Sequence, residues 1–251
     1  MYNFFVPGSA LNNDTYFITD SDYNHIRNVL RMHEGDTFLV SCGGESDLCR
    51  LEGFEGDAAI AKIIEKNYQN TELPVKIYLL QGLPKGDKME LIIQKTVELG
   101  VHAIIPVEMS RCVVRLDDKK KKSKVSRWQA VSESAAKQSK RNTVPEIHNV
   151  MSYKSALKFA EELDLLFLPY ENERGMKATK EALCEMKNGM SVGILIGPEG
   201  GFENGEIELA KDMNCRIISL GKRILRTETA AVTAVGMCML HTEMNSDGED
   251  L

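Results

Sequence analysis

Apolar positions change rhythm once along this chain, near residue 70. Before that point they fall in short runs at 37–42, 48–54 and 58–65, parted by turn signals at Gly43-Gly44 and Gly56-Asp57. Short strands at such spacing predict a small barrel or sandwich. One helix interrupts them, with Ser21 as N-cap and Tyr23, Ile26, Val29 and Leu30 following at helical spacing. The polar stretch 67–74 ends in proline, which sets a domain boundary and divides the chain into 1–72 and 73–251.

From residue 76 onward, strands alternate with helices. Apolar strands are predicted at 76–80, 101–107, 164–168, 192–196 and 217–220. Asp87 caps a helix with Met89, Ile92, Ile93, Thr96 and Val97 on one face, ended by Gly100. Further helices are predicted at 126–139, 179–186, 206–213 and 227–241. The alternation means a mostly parallel sheet covered on both faces, the α/β class.

Two strands near the carboxy end break into glycine. ILIGPEGGF (194–202) is an apolar strand opening into a loop, and LGKRILRTETAA (220–231) repeats the event, with Gly221 turning the chain and a helix starting near Thr227. These tandem units are expected to place two loops side by side at one sheet edge, where open α/β sheets bind ligands. Each motif alone has a structural reading. GPEGG is a common turn, and Thr227 or Thr229 can cap a helix with Glu228 near its positive end. Arg226, between Leu225 and Thr227, is costly to place among apolar neighbours unless it meets an anion or a carboxylate.

With 251 residues and 43% apolar content the chain has ample material for a core. A net charge of −6 argues against nucleic acid, but between Glu108 and Asn142 eleven Lys and Arg stand against four Asp and Glu. Such a stripe can hold phosphates; the alternative for Lys119 to Lys122 is a solvated loop touching nothing. Phosphate-loop and dinucleotide glycine patterns and GxSxG are missing, the five histidines are isolated, and the six cysteines form no CxxC pair, so no metal is expected. The amino terminus does not read as a signal peptide, and no stretch reaches the roughly 18 apolar residues of a membrane helix. A cytoplasmic protein with reduced thiols is expected.

The motifs also carry a resemblance. FFV (4–6), NHIRNVLRMHEGD (24–36), KGDKMELIIQKTVELGV (85–101), SRCVV (110–114), W..A..ESAAKQSKRN..PEI (128–147) and the two glycine motifs occur in one order over essentially the full length. In that order they resemble the ribosomal RNA small-subunit methyltransferase E family of the SPOUT superfamily. The resemblance implies a small N-terminal PUA-like β-barrel, an α/β domain with a C-terminal trefoil knot, and a homodimer through the knot region. It implies S-adenosylmethionine-dependent methylation of uridine N3 in 16S ribosomal RNA. Action on another RNA position, a ribose or a tRNA base, is opposed by the N-terminal barrel. A non-catalytic assembly factor is opposed by the two intact glycine motifs.

Carried onto this chain, the cofactor slot has three loops. The first follows Leu168, with Pro169, Tyr170 and Glu171. The second is Gly197, Pro198, Glu199, Gly200 and Gly201. The third runs from Leu220 and Gly221 to Thr227, with Ala230 behind it. Ile196, Leu220, Ile224 and Leu225 would supply apolar walls, and Glu199 or Glu228 would face the cofactor's cationic groups or only order a loop. Arg226 would stabilise the anion developing on the uracil oxygens, or would instead join the loop to a carboxylate. Arg27, Arg31, Lys85, Lys88, Arg111, Arg115, Arg127, Lys137 and Arg141 are the expected RNA contacts. Asn3 and Thr143 replace arginines usual in relatives, which leaves the grip there in doubt.

Overall fold

A computed structural model describes residues 1–171, 173 and 175–245. The chain forms two compact units, Met1–Glu72 with Ala136–Val144, and Leu73–Ala135 with the chain from Pro145 onward. The segment Ala136–Val144, read from sequence as part of the second domain, belongs with the first unit. Burial explains this. Arg141 is 3% exposed and ion-paired to Glu72, whose carboxylate also accepts from the amides of Asn142 and Thr143.

The first unit holds six strands: β1 (Asn3–Phe5), β2 (Leu11–Asn12), β3 (Thr15–Ile18), β4 (Thr37–Cys42), β5 (Glu45–Glu55) and β6 (Ala58–Glu65). They form a sheet in the order β1-β4-β5-β6-β3-β2, antiparallel except for β1 beside β4. Phe4, Ile18, Ile26, Phe38, Val40 and Leu51 share its core. The three predicted strands match β4, β5 and β6, while β1 to β3 are too short to show a period. The predicted helix is altered. Helix α1 (Asp20–Asn24) starts after Thr19, whose side chain makes no capping bond, rather than after Ser21, and passes into a wide π turn over His25–Val29. Widening the turn buries Ile26 and leaves Val29 62% exposed, so Val29 is not on the packed face.

Among the described residues the second unit forms a parallel sheet of seven strands: β7 (Lys76–Gly82), β8 (Ala103–Glu108), β9 (Glu146–Ile147), β10 (Met151–Ser152), β11 (Leu165–Pro169), β12 (Ser191–Ile196) and β13 (Arg216–Ile218). Their order is β10-β8-β7-β12-β11-β13, with β9 also on β8. The near-continuous apolar runs in β7, β8 and β12 follow from burial on both faces. Helices α2 (Lys88–Glu98), α3 (Asp118–Ser139, whose residues from Ala136 fall in the first unit), α4 (Tyr153–Ala160), α5 (Lys177–Cys184), α6 (Asn204–Lys211) and α7 (Thr227–Asn245) complete it. In α2 the buried residues are the five predicted, and α7 packs on α2, β7 and β12.

Two expectations need correction, and one helix was not expected. Lys119 to Lys122 lie in α3, not in a loop, with Lys121 2.7 Å from Glu108 and Lys120 3.2 Å from Asp117. The two glycine-bearing loops do not leave neighbouring strands, because β11 stands between β12 and β13. Helix α4 was missed, although Tyr153, Ala156, Leu157 and Ala160 are buried at i, i+3, i+4 and i+7 and Ser152 caps it. Among the described residues no helix is long and apolar enough to cross a membrane, and no group of three His, Cys, Asp or Glu is placed to hold a metal.

Candidate active site

The carboxy ends of β11, β12 and β13 release three loops around a cleft of about 460 Å³, within the range of small-molecule sites, about 300–1,000 Å³. Pro169, Tyr170 and Glu171 line it from the first loop, and Ile196 to Glu199 with Gly201 and Phe202 from the second. Leu220 to Thr227 close the third side, and Ala230 sits on the first turns of α7. Nearly every residue expected at the cofactor slot is therefore in one place. Leu168 and Gly200 are the exceptions. Leu168 is fully buried within β11, and a Cβ on Gly200 would point at Arg111, 2.9 Å from that residue's own Cβ. Phe202 and Lys88 also line the cleft, yet neither was named for the cofactor slot.

The second loop is held by close packing that no local motif reports. Gly82 ends β7 directly under Pro198: a Cβ there would lie 2.8 Å from both the ring Cδ and the backbone nitrogen of Pro198. Thr227 then ties this loop to α7. Its hydroxyl donates to the Gly197 carbonyl at 2.7 Å and accepts from Gln81 Nε2 at 3.0 Å. Giving one hydrogen bond and taking another satisfies this buried hydroxyl itself. Further out, Glu206 accepts from the amides of Ser110 and Glu203, and Arg111 donates to the Gly200 carbonyl. In the third loop Gly221 adopts φ 108°, a conformation that side chains resist, and Ile224 is 83% exposed at the cleft rim rather than forming a wall.

Charge is unevenly paired around the cleft. Lys88 Nζ lies 2.9 Å from Glu199 and 3.4 Å from Glu228, and the Lys85 amide donates to the same Glu199 oxygen. The Glu199 hydrogen bond, opposed in part by desolvation, holds the Lys88 ammonium above its ordinary range. Burial would raise the Glu199 carboxyl, but Lys88 and the Lys85 amide outweigh it and hold it below the usual carboxylate range. Glu228 Oε2 is buried and approaches the same ammonium at 3.4 Å, a longer contact than that of Glu199. Arg226 is exposed and meets no carboxylate among the described residues, so the reading that it braces the loop by an ion pair finds no partner. Lys222 and Arg223 are exposed beside it.

The expected RNA contacts separate by environment. Arg31, Lys85, Arg111 and Arg115 are exposed. Arg27 is exposed too and lies over the rings of Tyr23 and Phe54. Arg127 pairs with Glu90 at 2.8 Å and Lys137 with Asp22 at 3.0 Å, so their charge is partly neutralised. Arg141 is a correction: buried against Glu72, it is not available to a phosphate. Asn3 is also buried, donating to the Arg141 carbonyl and accepting from Ser41, which makes it part of the first unit's framework.

Comparison with known proteins agrees with this geometry. Residues 71–239 match the family model described as RNA methyltransferase domain, and residues 18–69 match RNA methyltransferase PUA domain. Ribosomal RNA small subunit methyltransferase E of Bacillus subtilis (strain 168) is 41% identical over 92% of this chain and 91% of its own. The protein of that name from Mesomycoplasma hyopneumoniae (strain 232) is 34% identical over 95% and 99%. The crystal structure of the Neisseria gonorrhoeae ribosomal RNA small subunit methyltransferase E bound to S-adenosyl methionine superposes with a TM-score of 0.80 at 32% identity, covering 96% of this chain and 97% of that one. With such identity across both units, and with the three loops of the cleft gathered at one sheet edge, the chain belongs to the ribosomal RNA small subunit methyltransferase E family.

Proposed function

We propose that this chain transfers a methyl group from S-adenosylmethionine to N3 of a uridine in 16S ribosomal RNA, in the cytoplasm. The observation that carries the reading is the single cleft uniting GPEGGF, LGKRILRTETA and the loop after β11 in a member of this family. The residues suit the cofactor. Backbone groups at Gly197 and Gly221, with apolar Ile196, Leu220 and Leu225, fit an uncharged adenine. When bound, S-adenosylmethionine supplies an electrophilic methyl group.

The chain's own residues do the rest. Uridine N3 keeps its proton at neutral pH, so transfer requires that proton to leave to water and negative charge to develop on the uracil ring. The unpaired guanidinium of Arg226 at the cleft rim is our candidate to stabilise it at a uracil oxygen. The loops hold the reacting groups together and supply much of the rate through orientation.

The first unit, residues 1–72 with 136–144, is proposed to be a PUA-like RNA-binding barrel, and the second a SPOUT domain with a trefoil knot. Support for the knot is the path from β13, at the sheet edge, to α7, whose first residue bonds to the ends of β12 and β7. A homodimer through this region is supported by α7 itself. Beyond its packed face it carries a second stripe, with Leu240 52% and Met244 75% exposed. Arg27, Arg31, Lys85, Arg111 and Arg115 are the proposed phosphate contacts. The test is nuclease digestion and mass analysis of ribosomal RNA from a strain lacking this protein. Absence of one N3-methyluridine, restored by the gene, is the expected result; loss of a methyl at another atom refutes the assignment.

A further inference from the structure

We propose that Lys88 is a positioning residue of the cofactor cleft and not a contact to RNA phosphate. The inference rests on the cofactor reading of the cleft given above. Lys88 opens α2, and its ammonium reaches two segments distant in the chain, Glu199 at 2.9 Å and Glu228 at 3.4 Å. Glu199 belongs to the loop after β12 and Glu228 to the first turn of α7, so one cation ties two walls of the cleft to a third element. The Lys85 amide, donating to the same Glu199 oxygen, fixes that carboxylate from a second direction. Glu228 is followed by the chain that carries Ala230 and preceded by Thr227 and Arg226, all at the cleft.

Charge decides against a phosphate role. One ammonium faces two carboxylates, and a lysine already held by both gains little from a phosphate. Removing the ammonium leaves two part-buried carboxylates without their shared counter-ion. Like charges without a counter-ion separate or protonate, and here separation moves the second loop away from α7. Arginine keeps the charge and only alters its shape.

The experiment uses the full chain as wild type, Lys88→Met, Lys88→Arg and the double variant Lys88→Met/Glu199→Gln. Titration calorimetry measures S-adenosylmethionine affinity, and filter binding over a salt series measures affinity for small ribosomal subunits. Expected are cofactor binding at least about tenfold weaker in Lys88→Met, most of it recovered in Lys88→Arg, and a subunit salt slope equal to wild type. A phosphate contact would instead reduce that slope by about one; that change with unaltered cofactor affinity overturns the proposal. If Lys88→Met also melts early, the double variant decides, since deleting one repelling carboxylate restores affinity only if charge balance is the cause. Failure of the double variant to recover counts against the proposal. Wild type that does not bind the cofactor would defeat the cofactor reading itself, whereas wild type that binds beside an unaffected Lys88→Met defeats only this inference.

Discussion

Replacing Gly82 by alanine tests how the second cleft loop is supported. The new Cβ would stand 2.8 Å from Pro198 Cδ and Pro198 N and 3.0 Å from Met109 Sδ. Carbon atoms settle at about 3.5–4.0 Å, so Pro198 must retreat by roughly 0.7 Å. Met109 can turn its thioether aside, but a proline ring and its backbone nitrogen cannot rotate out of the way. Retreat carries Gly197 with it and lengthens the 2.7 Å bond from Thr227 to the Gly197 carbonyl toward or beyond the usual limit. Overpacking of this kind costs about 1–3 kcal/mol, and the weakened hydrogen bond about 1 kcal/mol more. For a domain of this size each kcal/mol lowers the melting temperature by about 2–4 °C, so scanning calorimetry should show a fall of roughly 5–15 °C. Calorimetric titration should show S-adenosylmethionine affinity reduced at least tenfold, because the displaced residues line the cleft. A melting temperature within about a degree of wild type, together with unchanged affinity, would refute the claim that close approach requires glycine at this position.

Arg226→Ala should lower single-turnover methylation by about a hundredfold, the scale of one lost transition-state donor, with cofactor affinity within a few fold; unchanged turnover would remove Arg226 from the mechanism. In the first unit, burial pushes the Glu72 carboxyl up, but Arg141 and the amides of Asn142 and Thr143 outweigh it and leave its pKa lowered. A carboxyl with a depressed folded-state pKa adds stability above its unfolded value, near 4.5, and loses that contribution as pH falls further. Urea melts from pH 6 to 3 should therefore show wild type losing an advantage over Glu72→Gln on acidification, and a constant difference would contradict the linkage. Leu240→Glu, on the exposed stripe of α7, should yield monomers in sedimentation while leaving far-ultraviolet dichroism unaltered; a dimer of unchanged strength would place the interface elsewhere.

Much of the fold was legible because burial leaves a period in the sequence. Met89, Ile92, Ile93, Thr96 and Val97 announced the packed face of α2, and the apolar run of 192–196 announced a strand buried on both sides. The failures have local causes as well. The π turn at His25–Val29 inserts an extra residue per turn, so a helical count rotates Val29 to the wrong face. At 118–125 the lysine run hid the start of α3 because charge masks periodicity. Arg141 read as an RNA contact because its type, and not its neighbour Glu72, is visible in a sequence.

The chain's own pattern thus determined the kinds of element, their sequence order, the glycine loops and the family. Tertiary structure alone decided that β11 separates β12 from β13, that Gly82 lies against Pro198, and that Lys88 stands between Glu199 and Glu228. The physical reason is that periodicity records whether a side chain is buried, a property each position expresses by itself. Which distant residue it meets depends on how strands are ordered and loops cross, and no single position carries that information.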